Sequence, residues 1–242
     1  MRAHGAAVMG SVAAGNRASG VSRIAPGELV RSRGGRFAGA LGIDLAASDA
    51  GERFKWFLGA LLYGARISGS LASRTWSEFA ARGVLTPEGI AATGWDGLVA
   101  ILDAGGYARY DYMTANKLLD VCAALMRDYG GNLDALHDAA ADPRDLEGRI
   151  KALGKGIGDT TVDIFLRELR GIWAKAEPPL SQLAIDAAIE LGYLRPGIPD
   201  PGRALARLRR LWVADGQPPT GFSDFESALV REGLRLRRQS VP

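Results

Sequence analysis

The sequence has one cysteine, Cys122, and two histidines, His4 and His137. A single thiol excludes a disulfide within the chain, a cysteine-ligated iron–sulfur cluster and a four-cysteine zinc site. Two histidines leave little material for a Ser-His-Asp triad. Within "LLDVCAALM", Cys122 falls on an apolar helix face and packs as a small hydrophobe. No apolar run reaches ~18 residues, so no membrane span is expected. The opening "MRAHGAAVMGSVAAGNRASG" is rich in alanine and glycine, but glycine breaks its short apolar stretch. No secretory signal is expected there, and the cytoplasm is the simplest location.

β-branched runs are short too, while alanine, leucine and arginine abound, which favours helix. Hydrophobic residues make up 47% and charged residues 24% of the 242, the balance of a globular chain able to bury a core as one domain, or as one domain with an appendage. The net charge of +3 is unevenly placed. Residues 1–40 carry six arginines against Glu28, and residues 201–242 carry eight against four acids. These flanks, at +5 and +4, leave −6 for residues 41–200. Basic ends suit a polyanion partner; they equally suit a solvated, arginine-rich surface.

Residues 1–40 lack periodicity and repeat Gly, Ser and Arg, which reads as a flexible basic arm that can order near residues 24–30. Phe54, Phe57, Leu58, Leu61 and Leu62 then recur at helical spacing in a segment apolar on nearly every side, which predicts a central buried helix. A second helix follows and stops at Gly83. Thr86 and Pro87 supply an N-cap and a first helical residue. Met113, Leu118, Val121, Cys122, Leu125 and Met126 form the stripe of a long amphipathic helix that ends at Gly130-Gly131. Two short helices flank Pro143, and further helices follow residue 181 and a proline-rich break. Ser223 with Glu226 three residues later matches a capping box. No strand series is evident, so the fold class is all-α.

The segment "ALGKGIGDTTVDIFL" (residues 152–166) places three glycines within five residues before a helix. Gly156 and Gly158 permit positive φ and leave backbone N–H groups uncovered, while Ile157 turns inward and pins the bend. The next helix begins near Asp159 or Thr160, so its free amides and positive dipole end face whatever docks on the turn, which suits a phosphate. A P-loop is excluded because Lys155 precedes the last glycines. A dinucleotide fingerprint is excluded because "EGRIKAL" reads as helix rather than strand.

This hairpin resembles that of the helix–hairpin–helix DNA glycosylases, the endonuclease III-like family. Three further segments agree in order: "FLGALLYGARIS" resembles the family's early buried helix, "ILDAGGYARYDYMTANKLLDVCAALMRDYGG" its Gly-aromatic turn and long helix, and "LAIDAAIELG" the segment bearing its catalytic aspartate. The resemblance covers about residues 52–192. It implies a helical barrel (67–186, with the hairpin at about 150–166) inserted in a second helical domain built from both ends of the chain (41–66 and 187–242), with the active-site cleft between them. It implies a partner, double-stranded DNA, bound by a monomer through Lys155, Gly156, Ile157, Gly158, Thr160 and Thr161. Arg66 or a neighbour would enter the gap left by an extruded base. The flipped base would then be excised with Asp186 stabilising positive charge on the sugar.

Bifunctional members of the family carry a lysine where this chain has Thr160. Threonine has no amine and forms no Schiff base, so a monofunctional glycosylase is expected. Lys155 lies across the turn and does not replace that lysine. Neither a cofactor nor an iron–sulfur cluster is expected; a monovalent or divalent cation at the hairpin is the one exception the resemblance allows. Tyr63, Trp95, Tyr107, Tyr110 and Tyr112 are candidates to stack on a base or to fill the core. Two alternatives stand beside excision: a catalytically silent DNA-binding protein that keeps the hairpin as a phosphate clamp, and a helical protein–protein module. In either, Asp186 is an ordinary polar residue near a helix start.

Overall fold

Helix α3 (Ala50–Tyr63) runs through the centre of the larger hydrophobic cluster, with Trp56, Phe57, Leu58 and Leu62 fully buried. The computed structural model describes residues 24–239 apart from 48, 198 and 199. Among the described residues the chain is all helix, without a strand. Helices α1 (Pro26–Arg33) and α2 (Phe37–Ala40) precede α3, and α4 (Gly69–Ala81), α5 (Pro87–Ala104), α6 (Asp111–Tyr129), α7 (Leu133–Ala139), α8 (Pro143–Ala152) and α9 (Asp159–Leu169) follow it. The last are α10 (Gln182–Glu190), α11 (Pro201–Ala214) and α12 (Phe222–Gln239). No described helix is long and apolar enough to cross a membrane.

Local sequence sets most helix starts. Asp49, Ser68, Thr86, Asn132, Asp142, Ser181 and Asp200 each accept a hydrogen bond from an amide in the first turn of the helix that follows. Such caps satisfy amides that have no partner within the helix. Pro87, Pro143 and Pro201 occupy first helical positions, where a missing N–H costs nothing.

Two hydrophobic clusters form. The first spans residues 38–176 and gathers α3 to α9, with Phe57 and Phe165 edge to face at 4.9 Å. The second joins Leu29 of α1 to residues 180–230, with Trp212 stacked on Phe225 at 5.6 Å. α3 belongs to the first cluster, so the expected grouping of residues 41–66 with the chain's end does not hold. The reason is that α3 is apolar on nearly every side and packs against α4, α7 and α9. The arm needs a matching correction. Residues 24–40 are largely helical, with Leu29 and Ala38 buried; residues 1–23 of that expectation lie outside the described residues.

Charges make the seam between the clusters. Glu168 of α9, fully buried, accepts from the amides of Phe37 and Ala38 at 2.7 Å each and from Ser227 Oγ at 3.2 Å. Arg170 donates from Nε to Glu226 at 2.9 Å, from Nη1 to Glu177 at 2.7 Å and from Nη2 to the Pro178 carbonyl at 2.5 Å. Ser223 Oγ donates to the Arg170 carbonyl at 2.8 Å. Ser223 and Glu226 are therefore buried seam residues instead of the expected capping box. Met113 also departs from its predicted place in the α6 stripe: it is 68% exposed, while Leu118, Val121, Cys122 and Leu125 are buried. Burial pushes the Cys122 thiol up to about 12, an unreactive state at neutral pH.

Candidate nucleic-acid interface

Helix α8, residues 153–158 and helix α9 form a helix–turn–helix hairpin. Leu153 and Ile157 are buried and anchor the turn to the first cluster. Gly156 sits at φ +85°, where an L side chain is strained. Gly158 is the N-cap of α9, in extended conformation (φ −99°, ψ 177°), and no side chain caps that helix. Nothing lies within 4 Å of the place a Cβ on Gly158 would occupy. The N–H groups of Gly156 and Gly158 donate no backbone hydrogen bond among the described residues. A bend with free amides and an uncapped helix start thus faces open space.

Lysines gather at this bend. The chain has only five, and three of them, Lys117, Lys151 and Lys155, lie on or against the hairpin. Lys155 is exposed on the turn itself. Lys117 Cε, from α6, lies 3.2 Å from where a side chain at residue 156 would begin, and burial lowers the pKa of Lys117. Lys151 is bound to Asp159 at 2.6 Å, which ties α8 to α9 and raises the Lys151 pKa.

The second half of the hairpin opens onto a cavity of about 520 Å³ at the seam. Thr160, Asp163 and Arg167 of α9 form one wall; Trp56 and Tyr63 of α3 and Ser181 before α10 also line it. Asp163 lies one turn beyond Thr160. Burial first, then Glu147 and Asp159, raises its pKa above the ordinary aspartate value. Arg167 and Glu226 are among the lining residues, and their buried Nε and Oε1 atoms have no hydrogen-bond partner among the described residues.

Asp186 does not line this cavity. The buried face of α10 is Ala184, Ala187 and Ala188, and Asp186 projects from the exposed side, where Gln182 Nε2 donates to its Oδ1 at 2.7 Å. Gln182, four positions earlier on the same helical face, does line the cavity, so Asp186 stands just outside the lining with its carboxylate bonded to a lining side chain. The acid that sequence order assigned to the cleft is thus at its margin, while Ser181 and Asp163 are in its lining.

The other expected residues divide. Lys155, Gly156, Gly158 and Thr160 are exposed along the hairpin, and Ile157 is its buried pin. Thr161 is 4% exposed and turned away from solvent. A Cβ on Gly64 would meet Thr161 Oγ1 at 2.1 Å, so the end of α3 rests on Thr161 and removes it as a surface contact. Arg66 is exposed between α3 and α4, next to Ile67 at the cavity edge. Tyr107 is core, Tyr63 lines the cavity, and Tyr110 packs partly buried against the core. Trp95 and Tyr112 are exposed and in contact at 5.1 Å between ring centres.

Sequence reasoning passed over Asp163, although its i, i+3 spacing from Thr160 puts the two on one helical face. Phe37 gave no signal at all. It comes from the supposed arm, lines the cavity, and stacks beneath the Arg231 guanidinium at 3.9 Å and the Arg167 guanidinium at 5.3 Å. Among the described residues no group of three or more His, Cys, Asp or Glu side chains is placed to hold a metal ion. No protein-family model, no curated protein and no solved structure matches this chain.

Proposed function

We propose that this chain binds duplex DNA through the α8–α9 hairpin and takes one unstacked nucleotide into the adjoining cavity. One observation carries the reading: an uncapped, open glycine bend leads along a single helix face, through Thr160 to Asp163, into a cavity of about 520 Å³. The bend offers amides and lysines to a phosphate, which is backbone contact without sequence readout. The cavity lies within the size range of small-ligand sites, and its aromatic walls suit a base.

Gly158→Asp tests the reading cleanly. An aspartate is a favourable N-cap in this extended conformation and meets nothing within 4 Å, so the fold keeps its stability. The same carboxylate sits where the phosphate docks. Fluorescence anisotropy with a labelled 20-base-pair duplex at low salt should show affinity reduced by roughly tenfold or more, with an unchanged or raised melting temperature. Equal affinity in the variant would falsify the hairpin as the contact.

Base excision is the second reading, and Asp163 favours it: this is a carboxylate within the cavity, beside the position where Thr160 replaces an amine. Excision there uses water as nucleophile and the carboxylate as the stabiliser of a cationic sugar. Asp186 lies outside the cavity lining, bonded to the lining residue Gln182, so Asp163 is the nearer carboxylate. Duplexes bearing uracil, alkylated or oxidised bases, treated with alkali after incubation, report the reaction. Asp163→Asn should abolish base release and leave binding intact, whereas Asp186→Asn should leave both unchanged.

A further inference from the structure

A second groove, of about 960 Å³, continues from the cavity on the far side of Phe37 and Tyr63. The two spaces share Phe37, Tyr63, Ile67, Gly69 and Leu234. One wall is α4, which presents Ser70, Ser73 and Ser77 at i, i+3 and i+7. The facing wall is α12, which presents Arg231, Leu234 and Arg238 at the same spacing, with Arg237 beside them. Arg33 of α1 also lines it, and no carboxylate is among the lining residues.

The arginines differ in what holds them. Arg231 donates to the carbonyls of Gly35 and Arg36 and covers the Phe37 ring, so the fold fixes it. Arg33 is bound to Glu232 at 2.5 Å. Arg238 spends only Nε, on the Leu234 carbonyl at 3.3 Å, and Arg237 has no partner among the described residues. Both are exposed in the last turn of α12. Their terminal N–H groups therefore remain for a ligand. The serines add no competing charge. Ser73 and Ser77 donate to the carbonyls of Gly69 and Ser73, one turn earlier in α4, which leaves a narrow, wettable wall.

We propose that this groove holds the phosphodiester backbone of the DNA strand that flanks the nucleotide in the cavity, with Arg237 and Arg238 as its phosphate contacts. The inference rests on the DNA-binding reading above. Guanidinium forks match phosphate oxygens, and a groove walled by arginine and serine without carboxylates suits a polyanion. Continuity with the cavity at Tyr63 and Ile67 gives the strand its path: hairpin, cavity, groove. Each phosphate neutralised releases counterions, so each arginine contact leaves a mark on the salt dependence of binding.

The experiment measures binding of a labelled 20-base-pair duplex across a salt series for the wild type, the Arg237→Ala/Arg238→Ala double variant, the Arg237→Lys/Arg238→Lys double variant and Gly158→Asp. The alanine variant should bind roughly tenfold or more weakly at low salt, and its slope of log affinity against log salt should shrink by about 1.8 for two lost phosphate contacts. The lysine variant should recover the slope. Unchanged melting temperatures exclude a folding effect. An unaltered affinity and slope in the alanine variant, with Gly158→Asp weakened, would overturn the groove and leave the hairpin standing. The reverse pattern would uphold the groove and remove the hairpin. A wild type that does not bind duplex at low salt would overturn both.

Discussion

The core around α3 and the seam along α9 are built by opposite means. Around α3, Trp56, Phe57, Phe79, Leu98 and Phe165 are buried together, and the apolar period of each helix already says which face goes inward. Along the seam, Glu168, Arg170, Ser223, Glu226 and Ser227 are buried as completely as those aromatics. Here each group is held by a named partner, because a buried charge without one costs several kcal/mol. The core tolerates approximate shape; the seam depends on particular atoms. The cavity opens at the seam, where polar groups are available, and not within the apolar core.

This contrast can be broken by substitution. Phe165 touches the Phe57 and Trp173 rings at 4.9 and 5.5 Å, so Phe165→Ala should cost about 3–5 kcal/mol in chemical denaturation, independent of pH. Glu168→Ala should cost about 3 kcal/mol, because it strands the amides of Phe37 and Ala38. A loss below about 1 kcal/mol there would mean that the seam is held by packing after all.

A charged contact inside the second cluster, Glu232 of α12 with Arg33 of α1, has a pH signature of its own. Hydrogen bonds from Arg235 and Arg33 outweigh burial and bring its carboxyl from 4.5 down to about 2. A depressed value adds stability that is full above pH 4.5 and lost as pH falls towards 2. Both arginines are more than a third exposed, so solvent reduces the gain. Glu232→Gln should cost about 1 kcal/mol at neutral pH, and the difference from wild type should close in the acid range.

Asp163 should behave in the opposite sense. Its raised value penalises the ionised folded state, so its contribution is present at low pH and lost as pH rises through the folded value. Asp163→Asn should raise the melting temperature by roughly 1–3 °C at neutral pH, as expected where a functional group is kept against stability. A lower melting temperature would make Asp163 a structural residue.

The same contrast sets what could be read from the sequence. The all-α class, the buried α3, the cap at Thr86 and the pinned bend at Ile157 follow from spacing within one segment. The seam does not, because its bonds join residues far apart: Ser223 and Glu226 meet Arg170 across 53 and 56 positions. Read locally, the same pair looks like a capping box. Asp186 falls at the margin of the cavity instead of in its lining for a related reason. Its place in the sequence order was suggestive, but the side of α10 it occupies depends on where that helix starts and which face the alanines take. Phe37 is held at the cavity by residues far along the chain, Glu168 on its amide at 2.7 Å and Arg231 over its ring.

Backbone amide exchange of the hairpin, followed by NMR on titration with a 20-base-pair duplex, tests the central claim most directly. The amides of Gly156, Gly158, Asp159 and Thr160 should slow and shift as duplex is added, while those within α7 stay unchanged. Saturable duplex binding that leaves these four amides unmoved would contradict the account.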